Sequence, residues 1–94
     1  MADDIEYDWD ENKNRANRRE HGIDFVEMWR FEWEEALVEV DDREDYGELR
    51  EIAYGFIGVQ LVALVFVQEG DTVRVISLRK ASKKEGRKYA RVKG

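Results

Sequence analysis

The chain contains no cysteine and no proline. The first absence excludes disulfides, thiolate metal sites and cysteine nucleophiles. The second leaves the punctuation of turns to glycine. A single histidine, His21, restricts imidazole chemistry near neutral pH to one position. No apolar run approaches the roughly 20 residues that a membrane-spanning helix needs. Met1-Ala2-Asp3-Asp4 has neither the basic start nor the apolar core of a signal peptide. A cytoplasmic protein that does not engage a membrane is expected. No glycine-rich phosphate loop, serine nucleophile elbow or zinc-ligand spacing occurs. The acidic clusters Asp3-Asp4, Asp8-Asp10-Glu11 and Asp41-Asp42-Glu44-Asp45 do not make a calcium loop. Counting from Asp42 puts Gly47 in place but leaves Tyr46 and Ala53 where ligands are required. No metal and no cofactor are expected.

What is present supports one packed domain over residues 1–94. Hydrophobic residues at 43% are enough for a core despite 40% charge, and 94 residues leave no room for a second one. The net charge of −6 is unevenly spread. Residues 79–94 carry eight basic residues against Glu85 alone, a local +7, which leaves −13 on the first 78. A basic edge on an acidic body steers a polyanion to one place and discourages indiscriminate binding elsewhere.

Ile5 to Trp9 alternates apolar and acidic residues, the period of a half-buried strand. A polar helix is expected from Asn14 to Glu20, stopped by His21-Gly22 and lying on the surface, because Ala16 is its only apolar residue. Asp24 and Glu27 have capping-box spacing for a second helix, with Phe25, Met28, Trp29 and Trp33 at helical intervals and Val26 and Phe31 widening the stripe. Ala36 to Asp41 then alternates as a strand, and Asp42 to Glu48 is a charged turn. Arg50 to Phe56 is the next strand. Leu61 to Val67 is apolar at every position, as in a central strand covered on both faces.

Thr72 to Arg79 alternates once more, placing Val73, Val75, Ser77 and Arg79 on one face and Arg74, Ile76 and Leu78 on the other. Short turns between the last three strands require antiparallel neighbours. Ser82 and Glu85 again have capping-box spacing, for a terminal helix. The fold class expected is α+β: a single antiparallel sheet packed with two N-terminal helices and one C-terminal helix.

Two cations at a strand end, Arg79 and Lys80, face a carboxylate and a phenol, Glu85 and Tyr89, that share one helix face. That set can handle a phosphodiester; it can equally be a capped helix on a solvated rim. Further stretches match in order along nearly the whole chain. They are Tyr7-Asp8-Trp9-Asp10 with Asn12-Lys13 and Asn17, His21-Gly22-Ile23-Asp24-Phe25, Asp42-Arg43-Glu44-Asp45-Tyr46-Gly47-Glu48 with Arg50, and Ile76-Ser77-Leu78-Arg79-Lys80-Ala81 with Glu85 and Tyr89. Together they resemble the BrnT family of toxins from bacterial type II toxin–antitoxin systems, which share the fold of the small RelE-like ribonucleases.

The resemblance implies an RNA-cleaving toxin neutralised by a cognate antitoxin, BrnA, whose DNA-binding part represses the shared operon. Operator DNA is then reached only through the antitoxin, and a homodimer or a toxin–antitoxin heterotetramer is the implied assembly. A catalytically weak or inactive module that still binds its antitoxin and contributes to operon control is the alternative.

Metal-free RNA cleavage needs a base for the 2′-hydroxyl, cations for the phosphorane and an acid for the leaving 5′-oxygen. Arg79 can grip phosphate oxygens bidentately and Lys80 adds a point charge, although strand alternation sends them to opposite faces unless the strand ends there. His21 suits both proton roles, or is simply a cation favoured at a helix C-terminus. Glu85 is a base or merely closes the capping box. Tyr89 donates a proton, stacks a base or packs in the core. Lys13 and Asn17, four apart, line a groove or a solvated face, and Lys83, Lys84 and Arg87 are the remaining candidates for RNA contact. Arg43 and Arg50 can pair with neighbouring acids as readily as with phosphate. Trp29, Phe31 and Trp33 are core, or an aromatic patch for antitoxin or dimer contact.

Overall fold

The run that is apolar at every position forms β4 (Gln60–Glu69), the middle strand of a five-stranded sheet in the computed structural model, which describes residues 5–94. The Asp3-Asp4 pair lies outside the described residues. β4 is flanked by β3 (Arg50–Ile57) and β5 (Thr72–Lys80), both antiparallel to it. β2 (Leu37–Asp41) extends the sheet beyond β3, and β1 (Glu6–Asp8) extends it beyond β5.

Both faces of β4 are covered. Val62, Leu64 and Phe66 join Phe25, Met28, Phe31, Val75 and Leu78 in the main core, while Ala63 and Val65 join Ile52, Tyr54 and the partly buried Tyr89 on the other side. Helix α1 (Glu11–His21) and the segment after it cover the first face; α2 (Lys83–Lys93) covers the second.

The sheet is mixed rather than purely antiparallel, because β1 runs parallel to β5. Short turns dictate direction only for strands they join, and β1 meets its partner across most of the chain. The second N-terminal helix is not an α-helix. Phe25–Arg30 is a 3₁₀ helix, followed by a separate 3₁₀ turn, Trp33–Glu35. With three residues per turn, side chains three apart share a face. Phe25, Met28 and Phe31 are accordingly buried, at 0%, 0% and 5% exposure, whereas Trp29 is 62% exposed. Burying each of the first three stabilises the fold by about 1.5–3 kcal/mol.

Helix α1 begins at Asp10, whose carboxylate accepts the Asn12 amide, and ends at Gly22 with φ of 74°, whose N–H reaches the Arg18 carbonyl at 2.9 Å. Its buried residues are Asn14 and Asn17. Asn14 Oδ1 accepts the Phe25 N–H at 2.9 Å and its Nδ2 donates to Asp24 at 3.0 Å. Asn17 Nδ2 donates to the Leu78 and Ile23 carbonyls, and its Oδ1 accepts the Leu78 N–H at 3.1 Å. β1 pairs only with residues 72–74 of β5, so Asn17 supplies hydrogen bonds to the strand edge that β1 leaves uncovered. The helix that lacks an apolar stripe is therefore docked by amides, each satisfied as burial demands.

A register shift between Val65 and Phe66 marks a bulge in the β4–β5 pairing: Phe66 pairs with Val75, Val65 with Ser77, and Ile76 is left over. Beyond it the faces exchange. Leu78 joins Val75 in the main core instead of opposing it, and Arg79 lies beside Ala63 on the α2 face. Uninterrupted alternation would have put Arg79 in the main core with Val73 and Val75. The bulge re-aims it.

Candidate functional site

On the α2 face the Arg79 guanidinium meets the Glu85 carboxylate through two parallel hydrogen bonds, 2.8 and 2.9 Å. Glu85 is held by its own helix start: its Oε1 accepts the Ser82 N–H at 2.8 Å and Ser82 Oγ accepts the Glu85 N–H at 3.1 Å. The expected capping box is therefore present, and its carboxylate also serves the arginine. That guanidinium, then the helix-start amide, lower the Glu85 pKa to about 2 against partial burial. Glu85 in turn raises the pKa of Arg79. The pair is charged throughout the neutral range.

Tyr89 stands one turn beyond Glu85. Its hydroxyl donates to the Glu35 carbonyl at 2.7 Å and its ring packs edge-on to Phe56. Desolvation, then Glu35, raise its pKa, so the phenol keeps its proton. Lys88 pairs with Glu39 and sits 5.9 Å from the Tyr54 ring centre. Desolvation, then Glu85 and Glu39, raise the Tyr54 phenol in the same way. Lys88 and Tyr54 are neighbours of the site that sequence reading passed over. Lys88 lies three residues after Glu85 on α2, and Tyr54 lies on the same strand face as Ile52; both spacings are visible in the chain, but only packing brings them together.

The five catalytic candidates do not converge. Arg79, Glu85 and Tyr89 share the α2 face. Lys80, opposite Val62, points to the other face and lines a cavity there with Gly22. His21 ends α1 on the cavity side, with Nε2 3.9 Å from a Glu20 oxygen. Asn17 cannot contact RNA as expected, since it is 3% exposed and its amide is spent on backbone groups. Lys13 is exposed on α1, and Lys83, Lys84 and Arg87 are exposed on α2. Arg43 and Arg50 both find acids: Arg43 grips the buried Asp41 at 2.6 and 2.8 Å, and Arg50 lies 3.5 Å from Glu48.

The aromatic patch also divides. Phe31 is core, and half-buried Trp33 donates its indole N–H to the Tyr7 hydroxyl at 2.6 Å while packing edge-on to Phe31 and Phe66. Trp29 alone of the three presents a surface, with Tyr7 against its ring. Among the described residues, no group of three or more histidines, aspartates or glutamates is placed to hold a metal ion, and no helix is long and apolar enough to cross a membrane.

None of the curated proteins matches. The 1.1 Å crystal structure of the Brucella abortus ribonuclease toxin, BrnT, superimposes with a TM-score of 0.63 at 30% sequence identity, covering 84% of this chain and 99% of that one. A family model described as ribonuclease toxin, BrnT, of type II toxin–antitoxin system matches residues 9–85. That span runs from the end of β1 through the Arg79–Glu85 pair, and the chain belongs to the BrnT family of ribonuclease toxins of type II toxin–antitoxin systems.

Proposed function

We propose that this chain is a metal-independent endoribonuclease toxin that works in the cytoplasm, cleaves RNA by attack of the ribose 2′-hydroxyl and is neutralised by a BrnA-like antitoxin. The observation that carries the reading is the Arg79–Glu85 pair, a bidentate guanidinium beside a carboxylate, next to the exposed cations Lys83, Lys84 and Arg87. An incoming phosphodiester competes with Glu85 for the guanidinium, which presents the same fork to carboxylate and phosphate. Once released, Glu85 loses the chief cause of its low pKa and regains ordinary carboxylate basicity beside the 2′-hydroxyl. It takes the hydroxyl proton as the 2′-oxygen attacks phosphorus. Arg79 holds the charge of the phosphorane, and Tyr89 returns a proton to the departing 5′-oxygen. The products are a 2′,3′-cyclic phosphate and a 5′-hydroxyl. His21 and Lys80, on the other side of the sheet, are not assigned to these proton transfers. Trp29, with a ring free to bury, is the anchor we assign to the antitoxin, and operator DNA is contacted only through that partner.

The same pair favours one other reading. If it never opens, Arg79 stays satisfied, and the chain is an inactive module that binds its antitoxin and contributes to operon control. Purified chain free of antitoxin, incubated with RNA in EDTA, separates the two. Cleavage leaving cyclic phosphate ends is expected, and Arg79→Ala should slow it by about tenfold or more, as for loss of a transition-state charge contact. Intact RNA, or cleavage only after a divalent cation is added, overturns the proposal.

A further inference from the structure

On the face opposite Arg79, four chain ends meet: the end of α1, the 3₁₀ helix, the β3–β4 hairpin and the last residue of β5. They border an open cleft of about 460 Å³, within the range of roughly 300–1,000 Å³ common for small-molecule sites. The partly exposed side chain of Ile23 lines it, with Ile57 and Val62, 8% and 1% exposed, forming the floor behind. Two of its cations are already neutralised, Arg18 by Asp24 at 2.8 Å and Arg30 by Glu27 at 2.7 Å. The third, Lys80, makes no ion pair among the described residues. Gln60 turns its amide nitrogen to the Leu61 carbonyl at 2.9 Å, which leaves its own carbonyl oxygen as an acceptor. The site thus combines an apolar wall, one uncompensated cation and a neutral amide acceptor. That combination suits a flat heterocycle carrying a phosphate.

We infer that this cavity is a nucleotide subsite: the aliphatic wall takes the face of one base, Lys80 its phosphate, and the fit decides which nucleotide flanks the cleaved bond. The inference rests on the ribonuclease reading for its biological sense. Its geometry comes from the end of β5, where consecutive residues, about 3.8 Å apart at Cα, send Arg79 to one face and Lys80 to the other. An RNA strand passing over this rim is held on both sides, with chemistry on the Arg79 side and selection on the Lys80 side. Polar edges distinguish bases more strongly than apolar walls do, which makes the Gln60 carbonyl the group expected to discriminate between bases.

The test is a titration of the isotopically labelled full chain with AMP, GMP, CMP and UMP, followed by amide NMR, with ribose 5-phosphate as the base-free comparison. Saturable shifts are expected at Gly22, Ile23, Gly58, Gln60 and Lys80. One nucleotide should bind at least fivefold more tightly than the weakest, and ribose 5-phosphate should bind more weakly than any of the four. Lys80→Met should weaken binding about tenfold while keeping the amide spectrum of a folded chain. Lys93→Met, which removes a cation at the far end of α2, should leave it unchanged. Equal affinity for ribose 5-phosphate and all four nucleotides, or shifts confined to α2, overturns the inference. RNA cleavage is read separately: cleavage without nucleotide shifts sinks the subsite alone, while nucleotide shifts without cleavage support the subsite and sink the ribonuclease reading.

Discussion

Replacing Glu85 with glutamine isolates the contribution of its charge. Glutamine is isosteric and can still accept the Ser82 N–H, so the capping box survives, while the Arg79 guanidinium loses its anionic partner. Depression of the Glu85 pKa from its ordinary 4.5 to about 2 corresponds to no more than about 3–4 kcal/mol. The two side chains are 28% and 20% exposed, and solvent screening brings the expected loss at pH 7 down to about 1–2 kcal/mol. For a chain of this size that lowers Tm by about 5–15 °C.

The pH dependence is the sharper measurement. A carboxyl whose folded pKa is depressed contributes its full stability above the unfolded value of 4.5 and loses it as pH falls toward about 2. Urea unfolding of wild type and Glu85→Gln from pH 7 to pH 2.5 should therefore give curves that are separate above about pH 5 and converge below it. Asp24 and Asp41 also have lowered pKa values, from the Val26 amide and Arg43 respectively, but both proteins carry them and their contributions cancel in the difference. A gap that stays constant down to pH 2.5 would refute the idea that the pair is an ionic contact.

Other substitutions test the remaining contacts. Asn17→Ala leaves the Leu78 N–H and C=O without their amide partner and should cost about 2–4 kcal/mol in chemical denaturation; a loss under 0.5 kcal/mol would mean that α1 is docked some other way. Gly55→Ala places a Cβ 2.7 Å from Phe31 Cζ, in a well-packed core, and should cost about 1–3 kcal/mol by the same measurement. Tyr89→Phe removes the bond to the Glu35 carbonyl for about 1 kcal/mol of stability. If the phenol is the acid, the same change lowers the cleavage rate by about a hundredfold or more; unchanged cleavage would transfer that role elsewhere.

Much of the scaffold was fixed by local chemistry. Seven consecutive apolar residues, Leu61 to Val67, can only be buried on both faces, and they are the centre of the sheet. Ser82 and Glu85 cap α2 because one hydroxyl, one carboxylate and two amides at that spacing satisfy each other without outside help. The polar helix, by contrast, could not be placed from its own residues. Asn14 and Asn17 carry no mark that distinguishes a buried amide from a solvated one, and their partners, Phe25 and Leu78, lie 11 and 61 residues away. The direction of β1 and the 3₁₀ winding of Phe25–Arg30 were likewise settled by what each packs against.

The face that Arg79 occupies shows the division most plainly. The sequence alone established two adjacent cations at a strand end, a carboxylate six residues on, and a concentration of positive charge around them. It could not show the bulge at Ile76, because a bulge belongs to the pairing of two strands and leaves no mark in the alternation of one. Alternation already set the two cations on opposite faces; that single unpaired residue turns Leu78 into the main core, brings Arg79 to Glu85 and directs Lys80 toward the cavity, so the tertiary structure alone decided which face each cation takes.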